Sequence, residues 1–223
     1  MTGPVTTFVL GVDLDGVCAD YTAAFATIVA GEKGCDPADL PTGRSWDFGE
    51  WELDGVGGFE HLHRLAVLDR RMFRDMPMID GCAEVLWRLS DAGVWIRIIT
   101  HRLVVHWGHQ IAVADTVAWL DANNVPYRDL CFLGRKPEVE ADLYVDDAPH
   151  NVEALRAHGN EVLVFDQPYN RSVADPRVRS WIEIEEATLA RMTATGFAVH
   201  PPLPMPGRDD DRLRRTSLGY NEL

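Results

Sequence analysis

The 223-residue chain has only four cysteines, at 18, 35, 82 and 131. None forms a CxxC pair or stands at zinc-ligand spacing from a histidine, so a zinc site is excluded. The thiols read as reduced, as in a cytoplasmic protein. No stretch nears the ~18 apolar residues of a membrane span. The first apolar run, Phe8 to Val12, is too short for a signal-peptide core and leads straight into acidic residues. Basic charge is scarce: 21 Lys and Arg stand against 35 Asp and Glu, for a net charge of −14. The densest basic cluster, Arg208 to Arg215, is interrupted by three consecutive aspartates. Such a chain repels a polyphosphate backbone, which argues against a nucleic-acid polymer as partner. A small phosphate ester is not excluded, because a metal ion can reverse the local field. Glycine and proline, 18 and 13 residues, are too few for a low-complexity chain.

What remains is an ordinary globular mix, 46% apolar and 25% charged. Its length suits one domain with a sizeable insertion. Residues 7–12 form a nearly continuous apolar run that ends at Asp13, the pattern of a buried parallel strand. Further strands are expected over 94–99, 130–133, 143–145 and 162–165. Helices are expected over 21–30, 60–71, 82–92, 111–122, 152–158 and 184–195, with Gly31, Gly93 and Gly159 as stops. Alternating strands and helices predict a parallel sheet covered on both faces. Residues 32–58 are rich in glycine and aromatics and read as an insertion. From His200 the composition turns to Pro, Arg and Asp, which reads as a tail.

Ligands in open α/β sheets bind beyond the carboxyl ends of the strands. Those ends carry Asp13-Leu14-Asp15-Gly16, Thr100 and Asp146-Asp147. One such aspartate is usually a turn former or helix cap. Four after apolar strands call for a partner such as Mg²⁺, which takes hard oxygen ligands. An EF-hand is excluded, since position 17 is Val and a strand precedes the loop. Lys136, on a loop ten residues before Asp146, can neutralise a bound phosphate.

Asp13-Leu14-Asp15-Gly16-Val17, Thr100, Lys136 and Asp146-Asp147, in that order, resemble the four motifs of the haloacid dehalogenase (HAD) superfamily of aspartate-nucleophile phosphatases. Residues 13–21, 141–147 and Ser180-Trp181 are more closely similar to the 5′(3′)-deoxyribonucleotidases. The resemblance covers about 6–31 and 80–195 and scarcely touches 32–79. It implies a HAD-like three-layer α/β sandwich with a mostly parallel sheet and a largely helical cap inserted after the first motif. The core would be 1–17 and 80–199, the cap 18–79 and the tail 200–223. Asp13 would be the nucleophile, and Asp15 the acid that protonates the leaving oxygen and then activates water. Mg²⁺ would be held by the Asp13 carboxylate, the Asp15 carbonyl, Asp146 and Asp147. Thr100, His101 and Lys136 would bind the phosphoryl group. Two positions depart from the nucleotidase pattern: His101-Arg102 replaces Ser-Pro, and Ala148 replaces an Arg. Val104, Val105, His106 and Trp107 occupy the loop that follows.

The cap carries Tyr21, Phe25, Trp46, Phe48 and Trp51. Tyr21, Phe25 and Trp46 are the candidates for binding the leaving group, by stacking on a base. The alternative is that these rings form the cap's small core. His61 and His63 read as a solvated helix face, and Arg70-Arg71 as surface. The expected activity is Mg²⁺-dependent hydrolysis of nucleoside monophosphates. Hydrolysis of another small phosphate ester and a non-catalytic binding module are the alternatives. A dehalogenase has no use for Asp15. No membrane partner is expected, and a homodimer is compatible with the sequence.

Overall fold

The computed structural model describes residues 7–103 and 107–200. The loop positions Val104, Val105 and His106 and the proposed tail from 201 onward lie outside the described residues. Six parallel strands form one sheet in the order β3-β2-β1-β4-β5-β6. They are β1 (Val9–Val12), β2 (Trp95–Thr100), β3 (Asp129–Phe132), β4 (Leu143–Asp146), β5 (Val162–Phe165) and β6 (Arg177–Val178). The short β6 has no apolar run of its own. It is held by pairing with Val164 and Phe165 and by the Arg177–Asp166 ion pair at 2.8 Å.

Side chains alternate across the pleat and feed two apolar layers. Leu10, Val12, Ile96, Ile98 and Val145 face the larger core, which includes Leu86 and Leu89 of α4 (Cys82–Asp91) and Ile184 of α7 (Trp181–Ala194). Ile99, Tyr144 and Val164 face the other way, onto Val152 and Leu155 of α6 (Pro149–Ala157). α5 (His109–Ala122) connects β2 to β3. The strand order turns back on itself between β1 and β4, and a doubly wound sheet opens its ligand crevice at that point. Asp13 and Asp146 stand on its two sides.

Between β1 and α4 the chain makes a long excursion. It leaves along Cys18–Asp20 and returns along Pro77–Ile79. The two segments run antiparallel, with Asp20 N donating to Pro77 O and Ile79 N to Cys18 O, both at 2.8 Å. α1 (Tyr21–Lys33) is N-capped by Asp20, which accepts from Ala23 N at 2.9 Å. Gly31 does not end it. The stop lies at Gly34, whose left-handed backbone lets Cys35 N close onto Ala30 O. The expected helix over 60–71 is also broken. α2 (Gly58–Arg64) widens into a π-turn at Leu65–Asp69, then restarts as α3 (Met72–Asp75). Arg71 sits between them at φ +54°, held by both oxygens of buried Asp115 at 2.7 and 2.5 Å. A tertiary ion pair therefore overrides helix propensity, and Arg71 is not free surface.

Candidate active site

Asp13 leaves β1 with its backbone N–H on Val145 O at 3.0 Å, so β4 fixes where it starts. The loop then turns sharply. Gly16 has φ +87°, and a Cβ there would overlap the Asp147 carboxylate and lie 2.7 Å from the Tyr169 hydroxyl. Only glycine lets the two loops approach this closely. Trp181 Nε1 donates to Val17 O at 3.0 Å and Gln167 Nε2 to Gly16 O at 2.7 Å, which pins the turn from behind.

Asp13, Asp146 and Asp147 bring carboxylate oxygens within 4.8 Å of one another, and all three are buried. Lys136 enters from the loop after β3. Its Nζ lies 2.8 Å from Asp13 Oδ1 and 2.6 Å from Asp146 Oδ2, and its side chain is 1% exposed. Asp146 Oδ1 accepts from Ala148 N at 3.0 Å and Asn151 Nδ2 at 3.3 Å. Asp147 Oδ2 accepts a hydrogen bond from the Tyr169 hydroxyl, while its Oδ1 is buried with no hydrogen-bond partner. Such an orphan calls for a ligand.

The electrostatics agree. Burial pushes the Asp13 carboxyl up to about 7, against the pull of Lys136 and with Asp146 and Asp15 adding to the rise. Burial likewise raises Asp147 well above the usual carboxylate range. Burial alone would lower Lys136, but its two carboxylate partners raise it further and keep it charged. Fully ionised, the trio would set three carboxylates against one ammonium, a charge that burial opposes by raising Asp13 and Asp147 and that a bound cation would relieve. A hard divalent cation fits that donor set, and the free Asp147 oxygen gives it a ligand.

Above the trio lies a cleft of about 500 Å³ lined by Asp13, Asp15 and His101 and by aromatic rings from the excursion, among them Tyr21, Trp46 and Phe48. That volume is in the range of small-molecule sites. Thr100 is 1% exposed at the end of β2, with its Oγ1 3.4 Å from Arg102 N. His101 points a buried, unpartnered Nε2. Burial, assisted by Lys136, lowers its pKa to about 4, so the ring is neutral at neutral pH. The Asp15 carboxylate is turned from the trio onto the buried Arg102 guanidinium, at 2.7 and 3.0 Å.

The three candidate leaving-group residues separate. Trp46 is 48% exposed and packs edge-on against His150 and Tyr169, with centroids at 5.1 and 5.3 Å. Tyr21 lines the cleft, but its hydroxyl is engaged by His63 Nδ1 at 2.9 Å. Phe25 is 0% exposed and lies behind the wall, packed on Phe48 and Trp51. It is not among the cleft's lining residues. His63 also departs from expectation, since it stacks on Phe59 at 5.4 Å instead of facing solvent; His61 is exposed. Sequence reasoning missed Arg44, a buried cation between the Phe48 and Tyr169 rings at 3.9 and 4.1 Å. It missed Tyr169 and Asn151 as well. Only Asn151, five residues after Asp146 on the same strand-to-helix connection, carried a local signal.

The fold is shared with HAD-type hydrolases. A Deinococcus radiodurans HAD family hydrolase, solved with phosphate and sodium bound, superposes with a TM-score of 0.54 at 17% identity, covering 85% of this chain and 97% of that one. A haloacid dehalogenase-like hydrolase from Xanthomonas campestris gives 0.53 at 14% identity, covering 85% and 98%. These likenesses define the fold. The chain belongs to the family described as 5′ nucleotidase, deoxy (pyrimidine), cytosolic type C protein, whose model matches residues 7–193. It is therefore a HAD-type phosphoric monoester hydrolase. A Chlorobaculum tepidum protein provisionally named a 5′(3′)-deoxyribonucleotidase is 43% identical over 186 residues, 83% of this chain and 92% of that one. The 5′(3′)-deoxyribonucleotidase of Bacillus subtilis strain 168 is 24% identical over 189 residues, covering 81% and 98%. No helix among the described residues is long and apolar enough to cross a membrane.

Proposed function

We propose that this protein is a Mg²⁺-dependent 5′-nucleotidase that dephosphorylates deoxyribo- or ribonucleoside monophosphates through an aspartyl-phosphate. The observation that carries the reading is the meeting of Asp13, Asp146, Asp147 and Lys136 at the β1/β4 turn-back point, under an aromatic-walled cleft. The names of the related proteins point the same way.

In this reading Asp13 attacks phosphorus, its O–P bond forms, and the ester P–O bond breaks. The Asp15 carboxyl gives its proton to the departing oxygen. Asp15 then takes a proton from water, which attacks the aspartyl-phosphate and frees inorganic phosphate. Lys136, Thr100 and the neutral His101 ring hold the phosphoryl oxygens. Asp13, Asp146, Asp147 and the Asp15 carbonyl would hold Mg²⁺, which would supply positive charge against the phosphoryl group. Residues 18–79 act as a cap: they keep water from the cleft and present Trp46 and Tyr21 to the leaving group.

The test is a panel of deoxy- and ribonucleoside monophosphates, sugar phosphates and aryl phosphates, with Mg²⁺ and with chelator. Mg²⁺-dependent release of phosphate from nucleotides is expected. Turnover of sugar phosphates with none of nucleotides would overturn the substrate, and undiminished turnover under chelator would overturn the metal.

A further inference from the structure

His101-Arg102 stands where the nucleotidase pattern has Ser-Pro, and the reaction just described gives Arg102 no task. Its side chain is 1% exposed, and it does not line the cleft, so it is not placed to touch substrate. Every nitrogen of its guanidinium is nevertheless engaged. Nε and Nη2 donate to the two oxygens of Asp15, at 3.0 and 2.7 Å. Nη1 donates to Thr116 Oγ1 of α5 at 2.9 Å. The guanidinium lies over the Phe73 ring of α3, 4.2 Å from its centroid. Asp15 itself faces the cleft and is 26% exposed.

We propose that Arg102 is a positioning residue that fixes the place of the Asp15 carboxyl group in the cleft wall and ties that place to the α3 segment of the excursion. A carboxylate on a short side chain has two free torsions. A two-pronged guanidinium contact removes both, and a fork fixes a plane where an ammonium would fix only a point. The fork is anchored in turn, to the core through Thr116 and to the excursion through Phe73. A displacement of α3 relative to β2 therefore reaches Asp15 through one rigid group. The proposal rests on the reading of Asp15 as the acid–base residue.

In the first step, before water attacks the aspartyl-phosphate, aim matters only where the leaving group needs a proton, so the comparison is made on single-turnover release of the leaving group. An alkoxide leaving from a nucleoside monophosphate needs one, whereas 4-nitrophenolate departs without it. Arg102→Lys, which keeps the charge and loses the fork, and Arg102→Gln are compared with wild type on both esters, with melting curves to verify folding. The expected result is a loss in that single-turnover rate at least tenfold greater on the nucleotide than on 4-nitrophenyl phosphate, with KM changed less than threefold, since positioned proton transfer contributes roughly 10²–10⁴-fold. In an Asp15→Asn background, Arg102→Gln adds no further loss on the nucleotide. Equal losses on the two esters, or additive losses in the double variant, would overturn the proposal. Should the Arg102 variants fail to fold, Thr116→Val, which removes the Nη1 anchor and leaves both contacts to Asp15 in place, gives the same selectivity at smaller size; an unselective loss there overturns it too. An Asp15→Asn enzyme with wild-type nucleotide turnover would instead remove the role of Asp15, a result separable from any result on Arg102.

Discussion

At the scale of single residues, Asp13 has the most exacting position, with one carboxylate oxygen on Lys136 and neighbouring carboxylates close by. Asp13→Asn keeps the shape and removes the proposed nucleophile. It is expected to lower turnover roughly 10⁴-fold or more, about 5.4 kcal/mol of barrier, with the melting curve still cooperative. Phosphate release measured on purified protein checks this, and near wild-type turnover would refute covalent catalysis. His101 makes a prediction of a different kind. The fold holds its ring neutral, with a pKa of about 4 set first by burial, then by Lys136 and His150, against the opposing pull of Asp146. The unfolded chain takes up that proton near 6.5. The stability contribution is thus full above pH 6.5 and is lost as pH falls from there toward 4. With the ring only half buried, solvent screening trims the loss to about 1–2 kcal/mol. His101→Gln is expected to flatten the Tm profile between pH 7 and 4; an unchanged slope would show that the ring is not held neutral.

At the scale of elements, the sequence was legible where a residue sits at the end of an apolar run. Asp13, Thr100 and Asp146 each close a strand that reads from its own composition. It was less legible where position depends on contacts far along the chain. β6 has two residues and no pattern, and Tyr169 reaches Asp147 across 22 residues of sequence. The break in the 60–71 helix depends on Asp115, 44 positions beyond Arg71. The aromatic excursion shows the same limit, because composition cannot tell a ring facing the cleft from one behind it. Trp46→Ala is expected to reduce kcat/KM for a nucleoside monophosphate by roughly tenfold, the value of ~1–3 kcal/mol for a lost stacking partner, while sparing a small aliphatic phosphate. Phe25→Ala, deep in the same element, is expected to destabilise by about 3–5 kcal/mol without changing the ratio between those substrates. Kinetics on both esters, alongside denaturant melts, separate the two; a Phe25 variant with altered substrate preference would place that ring on the cleft.

For the whole molecule, the net charge of −14 and the buried carboxylate trio pose one electrostatic problem at two depths. Surface charge is relieved by any salt, since the ionic atmosphere screens it within about 10 Å. The trio is buried, so salt screening reaches it poorly, and when all three carboxyls are ionised Lys136 balances only one of their charges. A divalent ion bound there stabilises the folded state alone. At one hundred times its dissociation constant it contributes about 2.7 kcal/mol, or roughly 5–11 °C in Tm for a chain of this size. The surface contribution is measured separately, by matching ionic strength with a monovalent salt. Mg²⁺ is expected to raise Tm beyond that control, and Ca²⁺, which prefers longer bonds and more ligands, by less. Asp147→Asn removes one charge beside the unpartnered oxygen and is expected to abolish most of the specific rise, while leaving the monovalent response intact. An Asp147→Asn protein that responds to Mg²⁺ as wild type does would mean that the ion acts on the acidic surface and that the trio is not its site.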